Sequence, residues 1–148
     1  MQKLLLFLTL LVLTLSTYAT DIVRDGQEYP IEKIKEQNRQ IIRMVVEEIS
    51  KTLPQKIDNF TSMTNITDEN LTLIYTFEIN TEAKSDESIQ KKDKPRMEKA
   101  ISKGICQFSK RFLDAGIILN YTYLNASTKK ELFTFSMNQK KCKELHYD

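Results

Sequence analysis

The chain has 148 residues and an almost balanced charge, with 22 Lys and Arg residues against 20 Asp and Glu residues. The basic residues are scattered among acidic ones and form no dense patch that could neutralise phosphates. We therefore do not expect the protein to bind nucleic acid. The length suffices for one domain with a hydrophobic core and is too short for two.

The N-terminal segment has the three parts of a secretory signal peptide. Lys3 supplies the positive charge, residues 4–15 are almost wholly apolar, and small residues precede a cleavage site after Ala19. An apolar run of about 12 residues is short for a membrane span, which needs about 20. We predict a signal peptide over residues 1–19, followed by a periplasmic or secreted domain over residues 20–148 with no stable membrane insertion after cleavage. An uncleaved membrane anchor is the alternative.

The first predicted element is an amphipathic helix. Apolar side chains recur every three or four residues from Ile31 to Leu53, with charged residues of both signs between them. Pro30 suits the first turn of such a helix, and Pro54 follows its end. We expect the helix to lie against a sheet, because its mixed charge argues against the alternative of an anionic membrane surface.

Two further segments predict a hairpin. Residues 56–67 resemble an imperfect edge strand, and in residues 71–79 every second side chain is apolar, alternating with Thr72, Ile74, Thr76 and Glu78. Residues 68–70 supply the turn between them. Residues 81–94 are poor in apolar side chains and are predicted to be a mobile loop within the same domain.

A second helix and a second hairpin are predicted for the rest of the chain. The helix lies between Pro95 and Gly116, where glycine is a common stop signal. Two alternating runs, residues 117–123 and 132–137, predict the strands of the hairpin. Residues 143–148 are predicted to be a polar tail.

The element order is therefore α-β-β-α-β-β. It predicts an α+β fold with a four-stranded, mainly antiparallel sheet and two helices on one face. The other face, with Thr72, Ile74 and Thr76, would be partly open and is a candidate binding surface. Cys106 and Cys142 are the only cysteines, and in an exported chain they predict a structural disulfide. A redox-active pair would need a closer spacing such as C-x-x-C.

The sequence offers little that could support catalysis. The single histidine, His146, lies on the C-terminal tail, where side chains are usually exposed. No Cys/His cluster has metal-ligand spacing, and no glycine-rich phosphate loop is present. We therefore predict no cofactor, no metal and no enzymatic activity. A hydrolase that uses carboxylates alone is a weaker alternative, because the adjacent acidic pairs are expected to be solvated.

Two kinds of residue stand out as candidate sites. Tyr75, Tyr121 and Tyr123 lie on predicted strands; they would line a ligand pocket if they faced a cavity, or form core if they packed against the helices. Asn70 begins an Asn-x-Thr triplet with an acidic residue two positions before it. That pattern resembles the extended acceptor sequence of bacterial N-glycosylation, so Asn70 is a candidate glycosylation site.

Several short motifs together resemble a group of small exported bacterial proteins of unknown function. The motifs span most of the mature chain and consist of Leu53-Pro54, residues 71–77, Cys106, Gly116, Tyr121-x-Tyr123, Phe135 and Cys142. The resemblance implies a periplasmic location and a disulfide, and it carries over no catalytic residue.

These observations favour a non-catalytic interaction module that binds another envelope protein, in the manner of a chaperone, a pilotin or an enzyme inhibitor. Binding would use the open sheet face or strand addition at the edge formed by residues 56–67. A small-ligand-binding protein, with a pocket between the second helix and the three tyrosines, is the alternative.

Overall fold

The computed structural model describes residues 30–82 and 84–147, so the predicted signal peptide and residues 20–29 lie outside the described residues. None of the helices in these two ranges is both long and apolar enough to cross a membrane. The elements, in chain order, are α1 Ile31–Ser50, β1 Gln55–Lys56, β2 Thr61–Glu69, β3 Thr72–Ile79, α2 Asp86–Ser88, the π-helical segment Ile89–Asp93, α3 Lys94–Phe108, α4 Lys110–Asp114, β4 Ile118–Asn125, β5 Glu131–Met137 and α5 Gln139–Glu144.

The strands form one sheet in the order β1-β2-β3-β4-β5. Neighbouring strands are antiparallel except β3 and β4, which run parallel because helices connect them across the sheet. The prediction of an α+β fold with a mainly antiparallel sheet is confirmed. The structure has a fifth strand because residues 56–67, predicted as one strand, contain the end of β1, a turn and most of β2.

Helices α1 and α3 both pack on the same face of the sheet. Ile42 of α1 and Ile105 of α3 belong to one core cluster with Leu73 and Leu119 of the two central strands. Leu73 and Leu119 are register partners in the parallel pair, so their side chains point to the same face. The hydrophobic core therefore lies in one layer between the sheet and the helices.

Helix α1 buries a narrow face. Ile42 is fully buried, and Val45 and Ile49 pack against the same cluster, which matches the spacing of an amphipathic helix. In the N-terminal half the buried residue is Asn38, whose Nδ2 donates a hydrogen bond of 2.9 Å to the carbonyl oxygen of Ala115. This bond attaches α1 to the turn that follows α4.

Residues 81–94, predicted to be a loop, instead contain α2, the π-helical segment and the first residue of α3. Ile89 provides the physical reason, because it is buried and packs in a second core cluster with Phe77 and Phe133. A short helix gains most of its stability from such tertiary packing, which the low average hydrophobicity of the segment conceals.

The predicted disulfide is confirmed. Cys106 of α3 and Cys142 of α5 are joined at an S–S distance of 2.02 Å. The tail predicted over residues 143–148 is partly structured, because α5 continues to Glu144 and the side chain of Tyr147 packs against the core. The C-terminal end of the domain is therefore held both covalently and by apolar contacts.

Candidate functional site

Tyr75, Tyr121 and Tyr123 lie on the helix-covered face of the sheet, within one row of stacked rings. The ring centroids of Tyr75 and Tyr121 are 5.0 Å apart, and those of Phe77 and Tyr123 are 4.9 Å apart. Beyond Tyr123 the row continues to Phe133, with a centroid distance of 5.0 Å. The parallel register explains the row, because Tyr75 lies beside Tyr121 and Phe77 beside Tyr123.

Burial raises the pKa of all three tyrosines. For Tyr123, desolvation and then the negative charge of Asp58 raise the pKa to about 12. For Tyr121, desolvation is the largest cause of the raised pKa, and the neighbouring tyrosines add to it. The three phenols are therefore neutral at physiological pH and pack among other aromatic rings, and ligand binding through them stays a prediction.

A cleft of about 320 Å³ lies beside this aromatic row, lined by residues from three separate parts of the chain. Its apolar lining consists of Ile79, Ile89 and Met97 together with Phe60. Ile79 and Ile89 are members of the same core cluster as Tyr123, and Met97 packs against that cluster. None of the three tyrosines lines this cleft, so it differs from the pocket predicted between them and the second helix, which stays a prediction.

One wall of the cleft is the turn between β1 and β2. Asp58 holds this turn, because its Oδ1 accepts hydrogen bonds from the backbone N–H of Phe60 at 2.7 Å and of Thr61 at 2.8 Å. The bond from Phe60 is the largest cause of the lowered pKa of Asp58. A third bond of 2.8 Å, from the N–H of Asn80 to the carbonyl oxygen of Phe60, fixes the turn to the end of β3.

The opposite wall is the π-helical segment and the start of α3. Asp93 accepts from Lys84 at 3.3 Å and from Arg96 at 3.3 Å, so one carboxylate joins the two basic residues of the cleft. The remaining charged residues of the lining are Asp58 and Glu82. The rim of the cleft is therefore polar, with charges of both signs, while its floor is apolar.

The lip of the cleft exposes large apolar side chains. Phe60 is 52% exposed, and Ile57 is similarly exposed in the same turn. A phenylalanine held outward by a hydrogen-bonded turn, next to an apolar floor, is a feature typical of a binding surface rather than of a core. In the sequence this signal is only a single Phe within a polar stretch, so sequence reasoning missed it.

Asp58, a carboxylate of the cleft, is poorly suited to acid catalysis. A general acid needs a pKa raised towards neutrality, whereas the hydrogen bonds to Asp58 lower its pKa. Asp93 is engaged by two basic side chains. His146 is exposed and lies next to the carbonyl oxygen of Lys143, in a different segment of the chain. In residues 30–82 and 84–147 no three His, Cys, Asp or Glu side chains are grouped to hold a metal ion.

The predicted open sheet face is the one opposite the helices. Thr72, Ile74 and Thr76 are each partly exposed, and they point away from the face on which α1 and α3 pack. At the β2 edge, β1 already pairs with Ser62 and Met63, which reduces the length available for strand addition. Binding at either of these two places stays a prediction.

Asn70 lies in the tight turn between β2 and β3, where it is exposed and has a positive φ of 56°. Asparagine tolerates this left-handed conformation better than most residues. The geometry of the turn is therefore enough to explain an asparagine at position 70, whether or not it is glycosylated. Its accessibility is compatible with glycosylation, which stays a prediction.

One family and three solved structures are similar to this chain. The sequence profile of a domain of unknown function, DUF8479, matches residues 36–133, which include the whole cleft. No curated protein matches the sequence at a significant level.

The similar structures come from bacteria. A Pseudomonas aeruginosa protein thought to be secreted is 18% identical, with a TM-score of 0.64 over 74% of this chain and 96% of that chain. The pilotin EpsS of the Vibrio vulnificus type 2 secretion system is 12% identical, with a TM-score of 0.62 over 75% of this chain and 96% of its own. The type II secretion system pilotin AspS of Vibrio cholerae is 14% identical, with a TM-score of 0.56 over 76% and 98%. At these identities the likeness concerns the fold.

Proposed function

The chain belongs to the DUF8479 family of domains of unknown function, and we propose that it is a non-catalytic, pilotin-like protein of the cell envelope. In this proposal it binds a short segment of another envelope protein in the cleft beside Phe60. The fold shared with two secretion-system pilotins supports the proposal. The predicted signal peptide and the disulfide support export, because disulfides persist in oxidising compartments.

The observation that carries the proposal is the exposed Phe60 above an apolar floor. An apolar side chain of the bound segment would sit against Ile79, Ile89 and Met97, and Phe60 would cover it. Burial of a phenylalanine-sized side chain contributes about 1.5–3 kcal/mol. One such side chain would therefore supply a large part of the binding free energy of a weak complex. The polar rim then selects among segments through charges of both signs.

Site-specific photocrosslinking tests this proposal. A photoreactive phenylalanine analogue is placed at position 60 and, as the matched control, at position 108, which is a phenylalanine 91% exposed on α3 and not part of the cleft. We expect position 60 to crosslink to one envelope protein in native cells, whereas position 108 does not.

A substitution pair checks the affinity. Phe60→Ser should weaken capture of the crosslinked protein by about tenfold or more, as expected for a central aromatic anchor. Phe108→Ser should leave capture unchanged. Because both side chains are exposed, neither change should alter the fold, which circular dichroism verifies. Equal capture by both variants, or crosslinks of equal yield from both positions, would contradict the proposal.

A small-ligand-binding function is the second candidate, and the size of the cleft favours it. Small-molecule pockets begin at about 300 Å³, close to the 320 Å³ of this cleft. Native mass spectrometry of the protein isolated from its host separates the two functions. If a small molecule co-purifies stoichiometrically, is lost in Phe60→Ser, and no protein crosslinks at position 60, the small-ligand-binding function would be favoured over the binding of an envelope protein.

A further inference from the structure

Helix α1 carries a second apolar row that the core does not use. Ile34, Ile41 and Met44 are 42%, 40% and 57% exposed, although the sequence prediction placed Ile34 and Ile41 on the buried stripe. With Gln37 they are spaced by three, four and three residues, which is the a/d pattern of a coiled-coil seam. The seam follows the helix for about three turns.

The position of this row explains why it stays exposed. Successive residues of an α-helix are rotated by roughly 100°, so Ile41 lies about that far from the buried Ile42. The row is therefore on the flank of α1 rather than beneath it. A second helix could lie along this flank without displacing any core contact of α1.

We propose that the row is a dimer interface, in which α1 packs antiparallel against α1 of a second copy of this chain. Ile34 then lies beside the partner's Met44, and Ile41 lies beside the partner's Gln37. The partner's Ile34 and Ile41 make the same contacts in return, as a two-fold interface requires. The interface does not include the cleft, so it goes beyond the proposed function and does not depend on it.

The charged residues beside the seam favour a second copy of this chain as the binding partner, and they favour the antiparallel direction. Lys33 and Glu47 flank the seam at equivalent heptad positions near its two ends. In the antiparallel arrangement Lys33 meets the partner's Glu47 and Glu47 meets the partner's Lys33, which gives two favourable contacts. An anionic membrane is a poorer occupant, because α1 carries four acidic and four basic side chains.

The dimer is expected to be weak. A seam of about three turns buries far less than the ~800 Å² per partner of a typical stable interface. Gln37 also places a polar side chain in the middle of the seam, which lowers stability while it specifies register. We expect a dissociation constant on the order of 100 µM, so the dimer forms at high local concentration.

Charge-reversal variants in analytical ultracentrifugation test the proposal. Lys33→Glu alone and Glu47→Lys alone each place two like-charged pairs across the interface, so each variant should associate about tenfold more weakly than the unaltered protein. In a one-to-one mixture of the two variants every pair becomes favourable again. The mixture should therefore recover the dissociation constant of the unaltered protein within about threefold.

Two controls keep the test informative. Gln37→Leu removes the polar side chain from the seam and should strengthen association by about tenfold or more. Glu47→Lys also removes the ion pair between Glu47 and Lys51, whose charged atoms are 3.7 Å apart. The 2.7 Å ion pair between Lys51 and Glu48 remains, so the helix should stay folded. Phe60→Ser, in the cleft, should not change association.

Three outcomes would overturn the inference. One is a mixture of the two charge variants that associates no better than either variant alone. Another is association that neither charge reversal changes, which would point to contacts elsewhere, such as the apolar N-terminal segment. The third is a chain that stays monomeric at millimolar concentration even with Gln37→Leu.

Discussion

At the scale of single residues, asparagine side chains at strand ends have different roles. Asn125 lies in an Asn-x-Ser triplet, but it is buried and its Oδ1 accepts from the backbone of Ser127 and of Thr128. Its Nδ2 donates to Asp86 at 2.7 Å, which ties the end of β4 to α2. Because both ends of the amide are used inside the fold, this side chain is not accessible to a glycosylating enzyme, in contrast to the exposed Asn70.

We predict that Tyr123 ionises at a higher pH in the folded protein than in the unfolded chain. Its pKa is about 12 in the folded chain against 10.0 in the unfolded chain, so the unfolded state releases the phenol proton first as pH rises. The stability that Tyr123 contributes is complete below pH 10 and is lost between pH 10 and pH 12. Phenolate absorbance should show this late titration, and thermal unfolding should show the loss of stability.

Tyr123→Phe is the matched control for that measurement. It keeps the stacked ring and should remove the titration step near pH 12 together with part of the alkaline loss of stability. A tyrosine that titrates at its ordinary pKa in the native protein, with no difference between the two forms, would contradict the burial described for it.

At the scale of elements, the sequence predicted those parts in which packing imposes a clear period. Residues 71–79 were predicted as a strand, and β3 spans Thr72–Ile79, because an apolar side chain occupies every second position along it. The preceding strand was predicted poorly. A bulge between Met63 and Asn65 shifts its register, so its buried side chains do not follow a strict period of two.

We predict that the disulfide between Cys106 and Cys142 stabilises the folded domain. It closes a separation of 36 residues that includes the end of α3, α4, β4 and β5. In the chain-entropy account, replacing both cysteines by alanine should lower the free energy of unfolding by roughly 3–4 kcal/mol. Denaturant unfolding measures this difference, with the reduced unaltered protein as the control that should match the double variant. Equal midpoints for the oxidised and double-variant proteins would contradict the structural role.

At the scale of the whole molecule, the sequence could predict the layers but not the cleft. Sequence periodicity indicates which side chains are buried, and it predicted the two long helices, α1 and α3, and the two central strands. The cleft arises where the turn at Asp58, the end of β3 and the π-helical segment meet. Each of these segments taken alone resembles a turn or a loop, so no local pattern predicts that they enclose a cavity.

The strand order predicts which strands unfold locally and which only unfold with the whole domain. Strands β3 and β4 have partners on both sides and contain the fully buried Leu73 and the nearly fully buried Leu119, so their amides should exchange with solvent only through global unfolding. The two residues of β1, Gln55 and Lys56, are exposed at the edge and should exchange through local opening that costs at least ~2 kcal/mol less. Native-state hydrogen exchange in a denaturant series measures both free energies, and slower exchange in β1 than in β3 would contradict this order. Because β1 leads into the turn that carries Phe60, this low local stability would let the lip of the cleft adjust to a bound segment while the central strands keep its floor in place.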